Sequence, residues 1–185
     1  MSTESLARAQ QIASGVLAAV GPDQLDAATP CAEWDVSALI DHLVGAQHWA
    51  RSAVEGVEMS ETGEGSSGGD FGAAFDAAAT RCLAAFEEPG ALDRTVDVGM
   101  GEMPAGALLG LAVTDTFVHA WDLARATGQA TDLDPELAGQ ILTTSRAHIE
   151  PAFRSEDGKV FGLEQPAPSD ADTATRLAAF LGRRV

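Results

Sequence analysis

The chain has no tyrosine, a single lysine (Lys159), two cysteines and only 5% aromatic residues, and its 11 basic residues face 28 acidic ones across 185 positions. Each scarcity excludes something. A duplex-binding surface needs a basic footprint, and the only basic pair here is Arg183-Arg184 at the chain's end. Nucleic acid is therefore not an expected partner. An anionic membrane would repel a chain of net charge −17. No run approaches the ~20 apolar residues of a membrane-spanning helix. Cys31 and Cys82 are too few for a disulfide framework. The start, Met1-Ser-Thr-Glu-Ser-Leu, carries neither a basic region nor an apolar stretch of leader length. These absences lead to the expectation of a cytoplasmic protein with reduced thiols.

Hydrophobic residues make up 45% of the chain, enough for a real core in one domain over residues 1–185. Much of that share is alanine, a strong helix former. The first helix is expected from about Ser5 to Val20, before Gly21-Pro22. The second follows Asp35 as N-cap and runs to about Val54. Glu58 to Asp70 reads as a mobile loop, and a third helix is expected from Phe71 to Phe86. Thr95 to Gly99 suits extended backbone, with Gly99 and Gly101 marking a turn. The fourth helix is expected from Pro104 to Gly128, a fifth from Asp134-Pro135-Glu136 to Ile149, and a short last one from Asp170 to Leu181. Long helices with few strand candidates point to an all-α bundle.

The fourth segment is apolar almost all round, which marks a buried helix. At about 100° per residue, Asp115, His119 and Asp122 share one of its faces. Asp115 and His119 are one turn apart on the same side. Charged groups in an apolar setting are costly unless paired or coordinated. The pair therefore reads either as a buried Asp–His hydrogen bond or as part of a metal site. A third ligand separates the two. Of the remaining histidines, His42 falls on the flank of the second helix that faces the bundle, whereas His48 shares the polar side with Ser37, Asp41 and Ser52. His148 sits at the end of the fifth helix, where a cation suits the helix dipole. His42, Asp115 and His119 thus form a candidate three-ligand site with open positions, as in catalytic zinc centres. Zinc is the first expectation, and nickel, iron or manganese suit the same donors.

Thr29-Pro-Cys-Ala-Glu-Trp-Asp-Val-Ser-Ala-Leu-Ile-Asp-His-Leu-Val-Gly45, followed by Val118-His-Ala-Trp-Asp-Leu-Ala-Arg-Ala-Thr-Gly128, resembles the mycothiol-dependent maleylpyruvate isomerase N-terminal family. The match is to its small stand-alone actinobacterial members. That resemblance implies a DinB-like four-helix bundle with added short helices. It also implies a divalent metal held by one histidine of the second helix and by an acidic residue and a histidine one turn apart in a later helix, which correspond to His42, Asp115 and His119. The isomerase has glutamate where this chain has Asp115, so the shorter side chain requires a closer helix or a bridging water. It also carries a further domain for which 185 residues leave no room, so isomerisation of maleylpyruvate is not transferred. The resemblance instead implies a metal-dependent thiol transferase or isomerase that uses mycothiol and an electrophilic substrate, with a homodimer as the assembly relatives suggest. The alternative is a non-catalytic metal-binding or sensor bundle.

Asp122 is expected to orient a ligand histidine, to accept a proton, or to pair with Arg125 or Arg51 at the surface. Cys31 reads as a small buried residue with no base or cation near it in sequence. Trp34, Trp49 and Trp121 read as core, with Trp49 as a candidate wall of the metal pocket.

Overall fold

The computed structural model describes residues 1–31, 34–99, 101–155 and 161–185. Positions 32–33 of the Thr29–Gly45 motif, position 100 of the expected turn, and Lys159 lie outside the described residues. Among the described residues, six α-helices carry the fold: α1 (Thr3–Leu17), α2 (Val36–Glu55), α3 (Phe71–Glu87), α4 (Ala105–Ala126), α5 (Pro135–His148) and α6 (Thr173–Phe180). Two small pairings accompany them. β1 (Thr95–Asp97) runs antiparallel to β2 (Glu102–Pro104), and β3 (Arg154–Ser155) runs parallel to β4 (Phe161–Gly162). The fold is all-α, as expected, and the extended Thr95 segment is the first strand of a hairpin.

The helix starts follow local chemistry. Asp35, Asp70, Asp134 and Asp172 each accept a backbone N–H from the first turn of α2, α3, α5 and α6, satisfying donors that a helix leaves free. Helices α1 to α4 close into a ring: α1 packs on α3 and α4, and α2 packs on the same two. One apolar cluster joins Leu39, Ile40, Leu43, Phe75, Ala120 and Leu123. The other joins Leu6, Leu108, Leu109, Val113, Phe117 and Trp121 and continues to Leu137, Ile141 and Leu177, so α5 and α6 extend the core from the outer side of α4.

A polar string crosses the ring. Gln10 Nε2 donates to Gln47 Oε1 (2.8 Å) and to the Ala79 carbonyl (3.1 Å), and Gln47 Nε2 donates to Thr116 Oγ1 (2.9 Å). All three side chains are buried, and each hydrogen bond offsets a desolvation that would otherwise count against the fold.

The Glu58–Asp70 segment is fastened to α2 rather than free. Asp41 accepts the N–H groups of Gly65 (2.8 Å) and Ser67 (2.7 Å), and the Ser37 and Ser67 hydroxyls meet at 2.7 Å. Glu61 reaches Arg51 (3.2 Å), Arg81 (3.3 Å) and His48 (3.8 Å). His48, expected on the polar side, is buried at 7% exposure because this segment folds over it. Burial pushes its pKa down, and Glu61 only partly offsets that.

The close approach is made at Gly63. A Cβ there would collide with the Asp41 carbonyl and crowd the Gly45 amide. Gly63→Ala is therefore expected to lift the 58–70 segment off α2 and to cost about 1–3 kcal/mol, the usual penalty of overpacking. Thermal unfolding together with limited proteolysis checks this; an unchanged melting temperature and cleavage pattern would contradict the packing described.

Candidate metal centre

The seam between α2 and α4 brings His42, Asp115 and His119 together. Asp115 Oδ1 lies 3.2 Å from His42 Nε2 and 3.3 Å from His119 Nε2. The two imidazole rings are 4.6 Å apart, edge to face. All three ligand atoms lie within 4.8 Å of one another. In a tetrahedral centre with metal–ligand bonds of about 2.0–2.1 Å, adjacent donors sit about 3.3 Å apart, so these spacings fit a single ion. The Asp115 carboxylate, though shorter than glutamate, reaches His42 across the seam and His119 one turn along α4.

The second carboxylate oxygen decides the fit. Asp115 Oδ2 is buried and has no hydrogen-bond partner among the described residues. A buried acceptor left unpaired is expensive, and an ion at this point would satisfy it. Burial by itself would raise the Asp115 pKa; His119 and His42 overcome that and hold the carboxyl well below its usual range. Burial likewise opposes the charged form of His119, and Asp115 and Asp122 reverse the effect, leaving its pKa well above the ordinary value.

Behind His119 lies a second layer. Asp122, fully buried at 0% exposure, sits 3.0 Å from His119 Nδ1. A carboxylate there keeps a proton on Nδ1, so that loss of the Nε2 proton would leave the Nε2 lone pair for an ion shared with Asp115. Arg183 Nη2 donates to the same Asp122 oxygen at 2.9 Å, and its Nε donates to Oδ1 at 3.2 Å. Burial disfavours ionisation of Asp122, but the bonds from His119 and the Arg183 charge hold its pKa below the ordinary value.

Two sequence expectations are corrected. Asp122 pairs with neither Arg125 nor Arg51; its partner is Arg183, brought in by the segment after α6. Asp122 is fully buried and does not line the cavity, and its contact with His119 matches the expected role of orienting a ligand histidine. Cys31, read as having no base or cation nearby, is half-buried with its Sγ 3.2 Å from Asp122 Oδ2, 3.4 Å from Arg183 Nη2 and 3.8 Å from His119 Nδ1. Cys31, His119 and Asp122 are close enough to count as a second ligand group. The guanidinium of Arg183 already lies on that group and supplies its positive charge. Trp34 packs against the core, as read, and its ring also lies 4.4 Å from that of His42 and 5.5 Å from that of His119, tilted to both, closing one side of the centre.

The remaining side opens into a cavity of about 680 Å³ that contains His42, Asp115 and His119. Trp49 does wall it, together with Met59 and Gly63 of the 58–70 segment and with Phe161, Leu181 and Arg183 from the C-terminal part. Gly182, at φ 101°, lets the chain turn there while pressing on Gly162, which delivers Arg183 to Asp122. His148 is exposed at the end of α5, its ring 2.8 Å from the Thr144 carbonyl, as expected of a helix-end histidine.

Comparison with known proteins follows the same ground. The family model described as the mycothiol maleylpyruvate isomerase N-terminal domain matches residues 6–124, which hold His42, Asp115, His119 and Asp122. The chain belongs to that family. Its DinB-like helical domain corresponds to α1 through most of α4, and Arg183, Leu181 and Phe161 lie beyond the matched span. Two uncharacterised proteins of Mycobacterium tuberculosis, from strains CDC 1551 / Oshkosh and ATCC 25618 / H37Rv, are each 43% identical over 182 residues, covering 96% of this chain and 95% of their own length. No solved structure matches the chain. Among the described residues no helix is long and apolar enough to cross a membrane.

Two outcomes test this geometry. Arg183→Ala leaves the Asp122 carboxylate buried without its cation, which is expected to destabilise the protein by about 3–5 kcal/mol. Adding Asp122→Asn should recover part of the loss in a denaturant titration; no recovery would mean that Arg183 acts elsewhere. Cys82 is fully buried with its pKa pushed up to about 12 by burial, whereas Cys31 is half-buried. Native protein should therefore take up one equivalent of iodoacetamide by intact mass, at Cys31, and a second only after unfolding.

Proposed function

We propose that this chain is a metal-dependent thiol enzyme of the transferase or isomerase type. In this reading His42, Asp115 and His119 hold a divalent ion, zinc first. A low-molecular-weight thiol of the mycothiol kind docks beside it, and an electrophile occupies the cavity. The observation that carries the reading is the Asp115 carboxylate, whose Oδ1 faces the Nε2 atoms of both imidazoles while its buried Oδ2 has no partner among the described residues. Family membership supports it independently.

A divalent ion bound there would lower the pKa of a thiol and hold the thiolate for attack. The chain's own residues do the rest. Asp122 fixes the tautomer and ring plane of His119. Trp34 covers the imidazole faces and keeps water from that side. The walls of the cavity bring the electrophile to the sulfur. The sulfur forms a bond to the electrophilic carbon while that carbon's bond to its leaving group breaks, the leaving group departs with the electron pair, and the thiol proton passes to solvent.

Elemental analysis of untagged protein is expected to find one divalent ion per chain. After chelation, zinc should raise the melting temperature, and His42→Ala, Asp115→Ala and His119→Ala should each abolish that rise. The pH dependence has a definite sign. Protons compete for His119, whose pKa is raised in the metal-free protein, while Asp115 remains ionised. Metal affinity should therefore climb with pH, by up to about tenfold per unit, until His119 has lost its proton. An affinity flat between pH 6 and 8, on the order of the ordinary histidine range, would exclude His119 as a ligand. Incubation with mycothiol and an electrophile should give the thioether by mass spectrometry, and only when metal is bound. Metal binding without conjugate would leave a non-catalytic metal-binding bundle.

A further inference from the structure

We infer that the electrophile taken by this cavity is a largely apolar molecule, and that dicarboxylates are rejected; the inference rests on the metal-centre reading above. The walls carry it. Trp49, Met59, Leu111, Val118, Phe161 and Leu181 face the cavity from α2, the 58–70 segment, α4 and the C-terminal part. Met59 and Leu111 are 41% and 39% exposed, so the apolar surface reaches the mouth. A ligand body that covers these side chains gains roughly 0.8 kcal/mol per buried methylene, whereas a polar one loses its hydration without repayment.

The charges point the same way. Asp41 and Glu64 stand at the wall, and the Asp41 carboxylate is already taken by the Gly65 and Ser67 amides. Arg183 is the one Arg or Lys among the described wall residues, and its charge is committed to the fully buried Asp122. A divalent ion with one carboxylate ligand leaves a single positive charge at the floor, which one anionic donor atom neutralises. A second carboxylate on the ligand would enter an apolar space that already faces Asp41 and Glu64, in a chain of net charge −17.

Calorimetry on the zinc-loaded protein tests this with butyrate, hexanoate and adipate, and the visible spectrum of the cobalt-loaded protein provides a second readout. Hexanoate should bind roughly tenfold more tightly than butyrate, from two added methylenes at about 0.8 kcal/mol each. Adipate, which differs from hexanoate by one carboxylate, should bind at least tenfold more weakly than hexanoate. Leu111→Arg places a cation on an exposed part of the wall. It also removes one apolar contact, so it should weaken hexanoate and strengthen adipate, shifting the adipate-to-hexanoate affinity ratio at least tenfold toward adipate. If zinc binds but adipate matches hexanoate, or gains nothing from Leu111→Arg, the inference is overturned and the metal centre stands. If no zinc binds in the same calorimeter, the metal centre fails and the inference fails with it.

Discussion

Asp122 is a fully buried carboxylate, and the arrangement of the site follows from the need to neutralise it. It receives Arg183 on one side and His119 on the other, with the Cys31 thiol against the same oxygen. Ionised groups are tolerated in an interior only when paired and hydrogen-bonded. Once Asp122 is paired, His119 has one orientation, and that orientation aims Nε2 at Asp115 and His42. The α2–α4 seam is thus shaped by a charge that never meets the cavity. Replacing Asp122 alone by an apolar residue would leave Arg183 without its counter-charge and release the imidazole.

The two layers divide the work. Asp115, His42 and His119 face the cavity, with one carboxylate oxygen unpartnered. Asp122, Arg183 and Cys31 stand behind and are mutually satisfied. The front layer has unmet bonding capacity and the back layer has almost none, which is the contrast expected between ligands and the groups that orient them. The front layer lies wholly within the family-matched span, whereas Arg183 of the back layer lies beyond it.

Much of this was readable in the sequence, for reasons that differ residue by residue. The starts of α2 and α5 followed from Asp35 and Asp134, which are local signals, whereas α1 ends at Leu17 rather than near Val20 and α6 starts at Thr173 behind Asp172 rather than at Asp170. Asp115 and His119 stood out because one turn of one helix relates them, and His42 because its phase on α2 turned it toward the bundle. What escaped were the contacts made across long stretches of chain. Arg183 lies 61 residues from Asp122, and Cys31 lies 91 residues from it. No periodicity links such positions; only the tertiary path through α6 and Gly182 does. His48 was misplaced for a related reason. Its helix face is polar, but the 58–70 segment covers it, and a loop's resting place is not written in a helical wheel. The resemblance of the Thr29–Gly45 and Val118–Gly128 stretches supplied the rest of the fold.

The buried string Gln10–Gln47–Thr116 has a bearing on how the sequence can drift. Each amide spends its hydrogen bonds on the next member, so losing one residue strands the polar atoms of its neighbour. Substitution at one of the three is then tolerated only alongside change at the others. Homologous chains should either keep the trio or replace it as a set with apolar residues of matching volume. The same coupling makes a one-turn slide of α2 against α1 and α4 unfavourable, so these three positions act as a register mark for helices whose alanine-rich faces would otherwise fit in several ways.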